Sequence, residues 1–390
     1  MFHIAFTLAY LFLLWRFVLP LPISRNWRLL IAVLLFVVSK VHWINDVLYG
    51  NMWSFEVPYS IAVFLGWAFC AFVLLFIFVL IGDCLWLLVW FVRRRRPRNR
   101  LPSWLSSVAP ILAASASLVG VQNAVGVPEV KHIELPIVGL PASLDGFKLV
   151  QLTDTHISRL FPEEWVQKVV ARTNALSPDL ILFTGDFIDG TVGERVADVA
   201  PLANLKARFG VLGIPGNHEY YFDYKQWREC LSGLGIQLIE NSHVQLQVQD
   251  AGLTIVGVTD AAARDYGFAG PDLDVALRGA SEKWPIVLMS HRPEGAREYS
   301  KAGVTLQLSG HTHGGMMVGL NQLGKFANQG FTSGLYDIDA MKLYVSNGTA
   351  LWMGFPIRLG VPSEITLFTL RAAARKRDVN DVDKNLREID

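Results

Sequence analysis

The chain has 390 residues, a formal net charge of +1, 52% hydrophobic residues and only 18% charged ones. Near-neutrality excludes a globally basic nucleic-acid binder, and a charged fraction below the roughly 25% of ordinary globular chains points to a membrane-embedded portion. Three cysteines, Cys70, Cys84 and Cys230, make neither a disulfide framework nor a zinc-type cluster.

The apolar excess lies in residues 1–127, where four stretches read as candidate spans: 2–21 with Arg16 inside it, 27–38 extending weakly to 48, 59–92, and the weaker 108–127. A span needs roughly 20 apolar residues. The run "RRRRPRNR" (93–100) belongs in the cytoplasm by the positive-inside rule, and Arg16, Arg25 and Arg28 flank a second cytoplasmic loop. The expectation is a multi-pass region of about four helices in the cell membrane, with both termini and the C-terminal domain on the extracytoplasmic face. The fourth stretch, after the arginines, could instead act as an uncleaved export signal, which also exports the domain. Only if that stretch fails to span does the domain stay cytoplasmic. Asp83 sits beside "CLWLLVWF" and is expected near the interface, where Trp is favoured, rather than as an intramembrane ionisable site.

From Lys131 onward the pattern changes to short apolar runs alternating with helical ones. "FKLVQLTD" (147–154) reads as a strand, and "PEEWVQKVVARTNAL" (162–176) as a helix with Pro at its start and two Glu in its first turn. "DLILFTGD" (179–186) is a strand, "GERVADVAPLANL" (193–205) a helix, and "FGVLGIPGN" (209–217) a strand. "WPIVLMSH" (284–291), "VTLQLSGH" (304–311), "KLYVSNG" and "EITLFTL" complete the strands, and the mixed-charge segment 371–390 reads as a solvated tail. Buried strands interleaved with helices imply an α/β fold. The domain division is therefore 1–127 transmembrane, 128–370 globular and 371–390 tail.

Five of these strands end in polar residues: Asp154 and His156; Asp186 and Asp189; Asn217 and His218; His291; His311 and His313. That edge of an open α/β sheet is where ligands bind. Asp154, His156, Asp186, Asn217, His291, His311 and His313 offer too many carboxylate, amide and imidazole ligands for one cation. They suit two divalent ions about 3.5–4 Å apart. A bridging ligand needs two oxygens, which favours Asp186. The glycines around the pairs permit close backbone approach. Asp189 reads as a turn or N-cap residue rather than a partner of the site.

The ordered set D-x-H, G-D, G-N-H-E and G-H-x-H resembles the calcineurin-like metallophosphoesterase superfamily over roughly residues 130–370. "GNHEYY", "LSGHTHGG" and a late "PIR" at 356–358 are similar to a membrane-associated bacterial branch that includes exported phosphodiesterases and UDP-2,3-diacylglucosamine pyrophosphatases. The resemblance implies a four-layer α/β/β/α sandwich of two mixed sheets, here preceded by an all-α transmembrane region. It implies Asp154, His156, Asp186 and His313 on one ion, and Asp186, Asn217, His291 and His311 on the other, the ions being Mn, Fe, Zn or similar. It implies His218 as general acid or electrostatic stabiliser at the phosphate. Relatives often carry Gln where this chain has Met316, which alters a contact near the site but no ligand. Arg358 is taken as a candidate for pairing with a substrate phosphate.

The function expected is a membrane-anchored hydrolase of phosphodiester or pyrophosphate bonds, with no nucleic-acid partner. Anchoring alone accounts for the spans, and a lipid-linked or envelope phosphate held in the bilayer is the second reading. On the outer face a cytoplasmic UDP-lipid does not fit as substrate; on the inner face it does. The alternative is a transporter or sensor whose spans do the work while the domain serves as a regulatory binding module.

Overall fold

The computed structural model describes residues 2–93 and 103–373. The helical region holds α1 (Phe2–Leu13, continued as a π turn over Leu14–Val18), α2 (Arg25–Ser39), α3 (Val41–Tyr49), α4 (Tyr59–Arg93) and α5 (Ser103–Val125). Among the described residues, Tyr59–Val92 and Ser107–Val125 are each long and apolar enough to cross a bilayer. α2 and α3 pass that test only together, bent by 53°. The helix Phe2–Val18 is apolar but shorter. Against the sequence expectation of four spans, two of the described helices are long and apolar enough to cross, or three if the bent pair is one span. The second stretch breaks at Lys40, whose ammonium donates to Thr7 Oγ1 of α1. Trp27, Leu34, Leu88, Ile111 and Leu118 are exposed apolar side chains on these helices. Asp83 of α4 accepts two hydrogen bonds from the Arg16 guanidinium, both at 2.6 Å, so the two charges in the apolar region neutralise each other. Residues 94–100 of the arginine run lie outside the described residues, as does the tail from residue 374.

Twelve strands then form two six-stranded mixed sheets. The first contains β1 (Glu129–Val138), β2 (Lys148–Leu152), β3 (Leu180–Phe183), β4 (Val211–Gly213), β5 (Ile236–Leu238) and β12 (Glu364–Ala373), in the order β1-β12-β2-β3-β4-β5. The second contains β6 (Ser242–Val248), β7 (Ala251–Gly257), β8 (Ile286–Met289), β9 (Leu306–Ser309), β10 (Gly334–Ile338) and β11 (Met341–Val345), in the order β10-β11-β9-β8-β7-β6. Strands β2 to β5 run parallel, as do β7, β8, β9 and β11.

Period-two alternation assigns each residue to a layer. Leu149, Leu180 and Leu182 face the second sheet and pack with Ile255, Val287, Met289, Leu306 and Leu308. Their neighbours Val150, Ile181 and Phe183 face outward onto Trp165, Val166 and Val169 of α6 (Glu163–Ala175) and Trp227 of a later helix. Beyond the second sheet, Val256, Leu288 and Leu343 pack with Ala276 and Ala296. The result is the α/β/β/α sandwich, and strands buried on both faces explain why their sequences read as unbroken apolar runs.

The helical region is joined to the sandwich by more than a linker. Only three residues separate α5 from β1. The Gly120 carbonyl of α5 accepts from the Arg358 backbone N–H at 2.9 Å, and Asn123 Nδ2 donates to the Arg358 carbonyl at 3.2 Å. A Cβ at Gly120 would stand 2.4 Å from Ile357, so this close approach requires glycine. The loop between α3 and α4 also docks: Ser54 Oγ donates to the Asp189 carbonyl, and Glu56 accepts from Arg159 and Arg195.

Candidate metal centre

Each expected ligand lies just past a strand end. Asp154 and His156 follow β2, Asp186 follows β3, Asn217 follows β4, His291 follows β8, and His311 and His313 follow β9. The parallel strands deliver all of them to one edge. The backbone is strained there: Asp154, His156, Asp186, His311 and His313 all have φ between 39° and 68°. Non-glycine residues at positive φ cost energy and cluster where the surrounding structure holds them for function. The flanking glycines make room. A Cβ at Gly216 would lie 2.2 Å from Asp186 Oδ1, and one at Gly310 would lie 2.2 Å from Asp154 Oδ2.

The side chains converge as three sets of donors: Asp154 with His156 and His313, Asp186 with His291 and His311, and His156 with Asp189 and His218. His313 Nε2 lies 3.6 Å from Asp154 Oδ1, and His156 Nε2 lies 3.3 Å from His313 Nε2. Asp186 Oδ2 belongs to both neighbourhoods, at 3.7 Å from His156 Nε2 and 3.2 Å from His291 Nε2. Asn217 Oδ1 is 3.2 Å from the same His291 nitrogen. Ligand bonds of about 2.0–2.2 Å leave the ligand atoms of one ion up to about 4.4 Å apart. These spacings therefore fit a cation between the donors of each of the first two sets, and hard carboxylate with imidazole suits a divalent metal.

Outer contacts fix each ligand's direction. His291 Nδ1 lies 2.8 Å from the Thr184 carbonyl, which turns Nε2 toward Asp186. Asn217 Nδ2 donates to the Tyr221 hydroxyl at 3.2 Å, leaving Oδ1 to face the site. The Asp154 carboxylate accepts from the His311 N–H and from Thr153 Oγ1. The Asp186 carboxylate accepts from the His218 N–H at 2.9 Å.

Asp189 is a correction to the sequence reading. It is fully buried, and its Oδ1 faces His156 Nδ1 at 3.1 Å and His218 Nδ1 at 2.5 Å. It orients His156 and His218 together, rather than capping a turn. Glu219 escapes the sequence reading altogether. Its buried carboxylate accepts from the backbone N–H groups of Asp186, Phe187 and Gly216, tying the β3 and β4 loops together. The fourth residue of "GNHE" is the available signal.

Arg358 is also corrected. Its side chain is buried and donates to the carbonyls of His313, Val361, Asn347 and Ala350. With both terminal nitrogens engaged by backbone, it holds the His313 loop instead of meeting a phosphate. Burial drives its pKa down to about 10, opposed by Asp154 and Glu364.

Electrostatics sort the site. Burial opposes charge on His156, yet Asp189, Asp186 and Asp154 raise it to about 9; burial likewise opposes His291, which Asp186 and Asp154 raise to about 10. Burial, reinforced by those cations, holds His311 and His313 well below the usual imidazole range. Burial opposes ionisation of Asp186, but His291 and His218 outweigh it and hold the carboxyl well below the usual range. Burial and the Asp186 charge push Glu219 up to about 7.

A cavity of about 550 Å³ opens onto the cluster. Asp186, Asn217, His218, His311 and His313 line it, together with Trp53, Tyr221, Arg292 and Met316. Trp53, from the α3–α4 loop, stacks on Tyr221 with centroids 5.0 Å apart and meets His218 edge-on at 5.7 Å.

Residues 147–315 match the family model described as calcineurin-like phosphoesterase. The chain is 34% identical over 275 residues to a "transmembrane protein with metallophosphoesterase domain" of Danio rerio, covering 68% of this chain and 62% of that protein. The cattle protein of the same description is 35% identical, and this chain again spans 62% of its length. A metallophosphoesterase of Campylobacter jejuni is 30% identical over 347 residues, covering 87% of this chain and 88% of its own. With that near full-length match, the chain belongs to the calcineurin-like metallophosphoesterase family.

Proposed function

We propose that this chain is a membrane-anchored, binuclear-metal hydrolase of phosphodiester or pyrophosphate bonds. The observation that carries the reading is Asp186, one carboxylate within 3.7 Å of His156 and 3.2 Å of His291, between two donor sets. Asp154, His156, Asp186 and His313 would hold one ion; Asp186, Asn217, His291 and His311 would hold the other. When bound, such a pair makes water nucleophilic near neutral pH and offsets charge developing on the phosphoryl oxygens. The chain's own groups do the rest. Asp189 fixes His156 with Nδ1 inward, so that Nε2 is presented as ligand. The same carboxylate holds His218, leaving the other ring nitrogen to protonate the leaving oxygen or to steady the phosphate. Arg292, paired with Asp260 at 2.8 Å, adds a cation to the cavity wall.

The domain stands on the extracytoplasmic face if the arginine run is cytoplasmic and α5 crosses the bilayer, whatever the number of spans before it. The packing supports that arrangement: Phe2, the α3–α4 loop and the end of α5 all meet the catalytic domain. The test of function is metal analysis of the purified protein, followed by assay with bis-p-nitrophenyl phosphate and a panel of phosphodiesters and pyrophosphates. The reading requires close to two divalent ions per chain and turnover that depends on them. One ion or none after loading, with no hydrolysis, refutes it.

A further inference from the structure

The cavity at the metal centre has a second end that the hydrolytic chemistry does not use. Phe2 and Phe6 of α1 line it, as do Phe69 and Val73 of α4 and Phe355 of the sandwich. Each helical pair is spaced i, i+4, so both members lie on one helix face. Phe6 and Phe69 meet edge-to-face with centroids 4.9 Å apart, which sets the faces of α1 and α4 against each other. α4 is long and apolar enough over Tyr59–Val92 to cross a bilayer. One continuous space of about 550 Å³ therefore joins Asp186, His311 and His313 to aromatic and aliphatic side chains of the helical region.

We propose that the substrate is a phosphoester carrying a long apolar tail, with its phosphorus at the metal centre and its tail between α1 and α4. This rests on the hydrolytic reading above and names its substrate class. A water-soluble phosphoester needs the polar end alone. The apolar end is built from side chains of α1 and α4, so the tail is buried among them while only the headgroup enters the sandwich. Among the described residues that line the cavity, Arg292 is the sole lysine or arginine, and it is paired with Asp260.

The experiment uses full-length protein in phosphatidylcholine nanodiscs, loaded with Mn²⁺, and a series of p-nitrophenyl alkyl phosphodiesters from methyl to octyl. In each turnover water's oxygen forms a new P–O bond and the P–O bond to p-nitrophenolate breaks. The water proton passes to solvent or to the leaving group, and the alkyl phosphate is retained. A buried methylene contributes up to about fourfold in affinity. Wild type should therefore show an octyl-to-methyl ratio of kcat/KM of roughly 100 or more. Val73→Trp, which fills the apolar end, should lower that ratio at least tenfold. Because the ratio is taken within one variant, a general loss of activity cancels, and bound manganese reports that the variant is folded. If Val73→Trp fails to bind metal, Val73→Phe repeats the measurement with less intrusion. Equal rates across the series in wild type, or a ratio unchanged in the folded variant, overturn the tail path and leave the hydrolase reading standing. Hydrolysis of no member by metal-loaded protein overturns both.

Discussion

Replacing Asp189 with asparagine tests whether the carboxylate beneath the site sets its metal affinity. In the wild type, Asp189 Oδ1 accepts from His156 at 3.1 Å and from His218 at 2.5 Å, and Oδ2 is buried without a hydrogen-bond partner. Burial opposes its ionisation, but His156 and His218 outweigh that and hold the carboxyl below its usual range, so the group is anionic. The amide side chain keeps the shape and one acceptor but loses the charge, and it places an N–H₂ group where Oδ2 had no donor to satisfy. The lost charge makes the His156 imidazole a weaker ligand and leaves its orientation poorly fixed. Partners of this kind are worth 10- to 100-fold in metal affinity or activity, or about 1.4–2.7 kcal/mol. The fold should survive, since the substitution is nearly isosteric. Titration of metal-free protein with Mn²⁺ by calorimetry should show one site weakened by that factor. At saturating metal, kcat should remain lowered because His218 has lost the same partner. An Asp189→Asn protein with wild-type affinity at both sites and wild-type kcat would refute the claim that this carboxylate orients the site.

His218→Ala should lower kcat by about 10²–10⁴ with both metals still bound, since His218 lines the cavity and the proposed ligand set does not use it; metal analysis alongside steady-state kinetics checks this. Asp186→Ala should abolish turnover and reduce bound metal below that of wild type, read by elemental analysis, because both proposed ligand sets lose a member. Metal affinity should fall as pH falls. His156 at about 9 and His291 at about 10 must release their protons to bind, so each displaced proton costs about tenfold per pH unit below those values. Mn²⁺ titrations at pH 6 and pH 8 should differ by at least tenfold, and equal affinities would exclude these imidazoles as ligands. Arg358→Ala should destabilise the protein by on the order of 3 kcal/mol, because a buried cation and its bonds to the His313 loop are lost together. The thermal midpoint, read with and without Mn²⁺, reports this.

The seven expected ligands are legible because each follows an apolar run that can only be a buried strand, as "DLILF" precedes Asp186 and "VTLQLS" precedes His311. Chain direction in parallel strands then brings their ends together. Asp189 is misleading because it lies three residues past Asp186, beyond the strand, where nothing in the local pattern distinguishes a turn carboxylate from one folded beneath two histidines. Its partners His156 and His218 are 33 and 29 residues away. Arg358 misleads for a related reason. A lone arginine after proline and isoleucine looks solvent-facing, and only the convergence of the His313, Asn347 and Ala350 carbonyls encloses it. β1 escapes notice because "EVKHIELPIV" mixes charges and a proline with its apolar residues, as an edge strand can. β6, "SHVQLQV", alternates polar and apolar in a way that a strict period-two count finds. In the apolar third, hydropathy locates the helices but does not show that Lys40 breaks one of them.

The seam between Gly120 and Ile357 makes the helical region part of the sandwich's framework. A domain hung on a flexible tether would sample every tilt, and its membrane helices could be exchanged for any others. Here a backbone hydrogen bond crosses from α5 to the segment that carries Arg358, whose guanidinium in turn holds the His313 loop. Cutting the chain at residue 127 would therefore uncover Ile357 and Met353 and free the loop that bears His313. Grafting the sandwich onto a foreign helix would lose the glycine contact and the hydrogen bond that fix α5 against it.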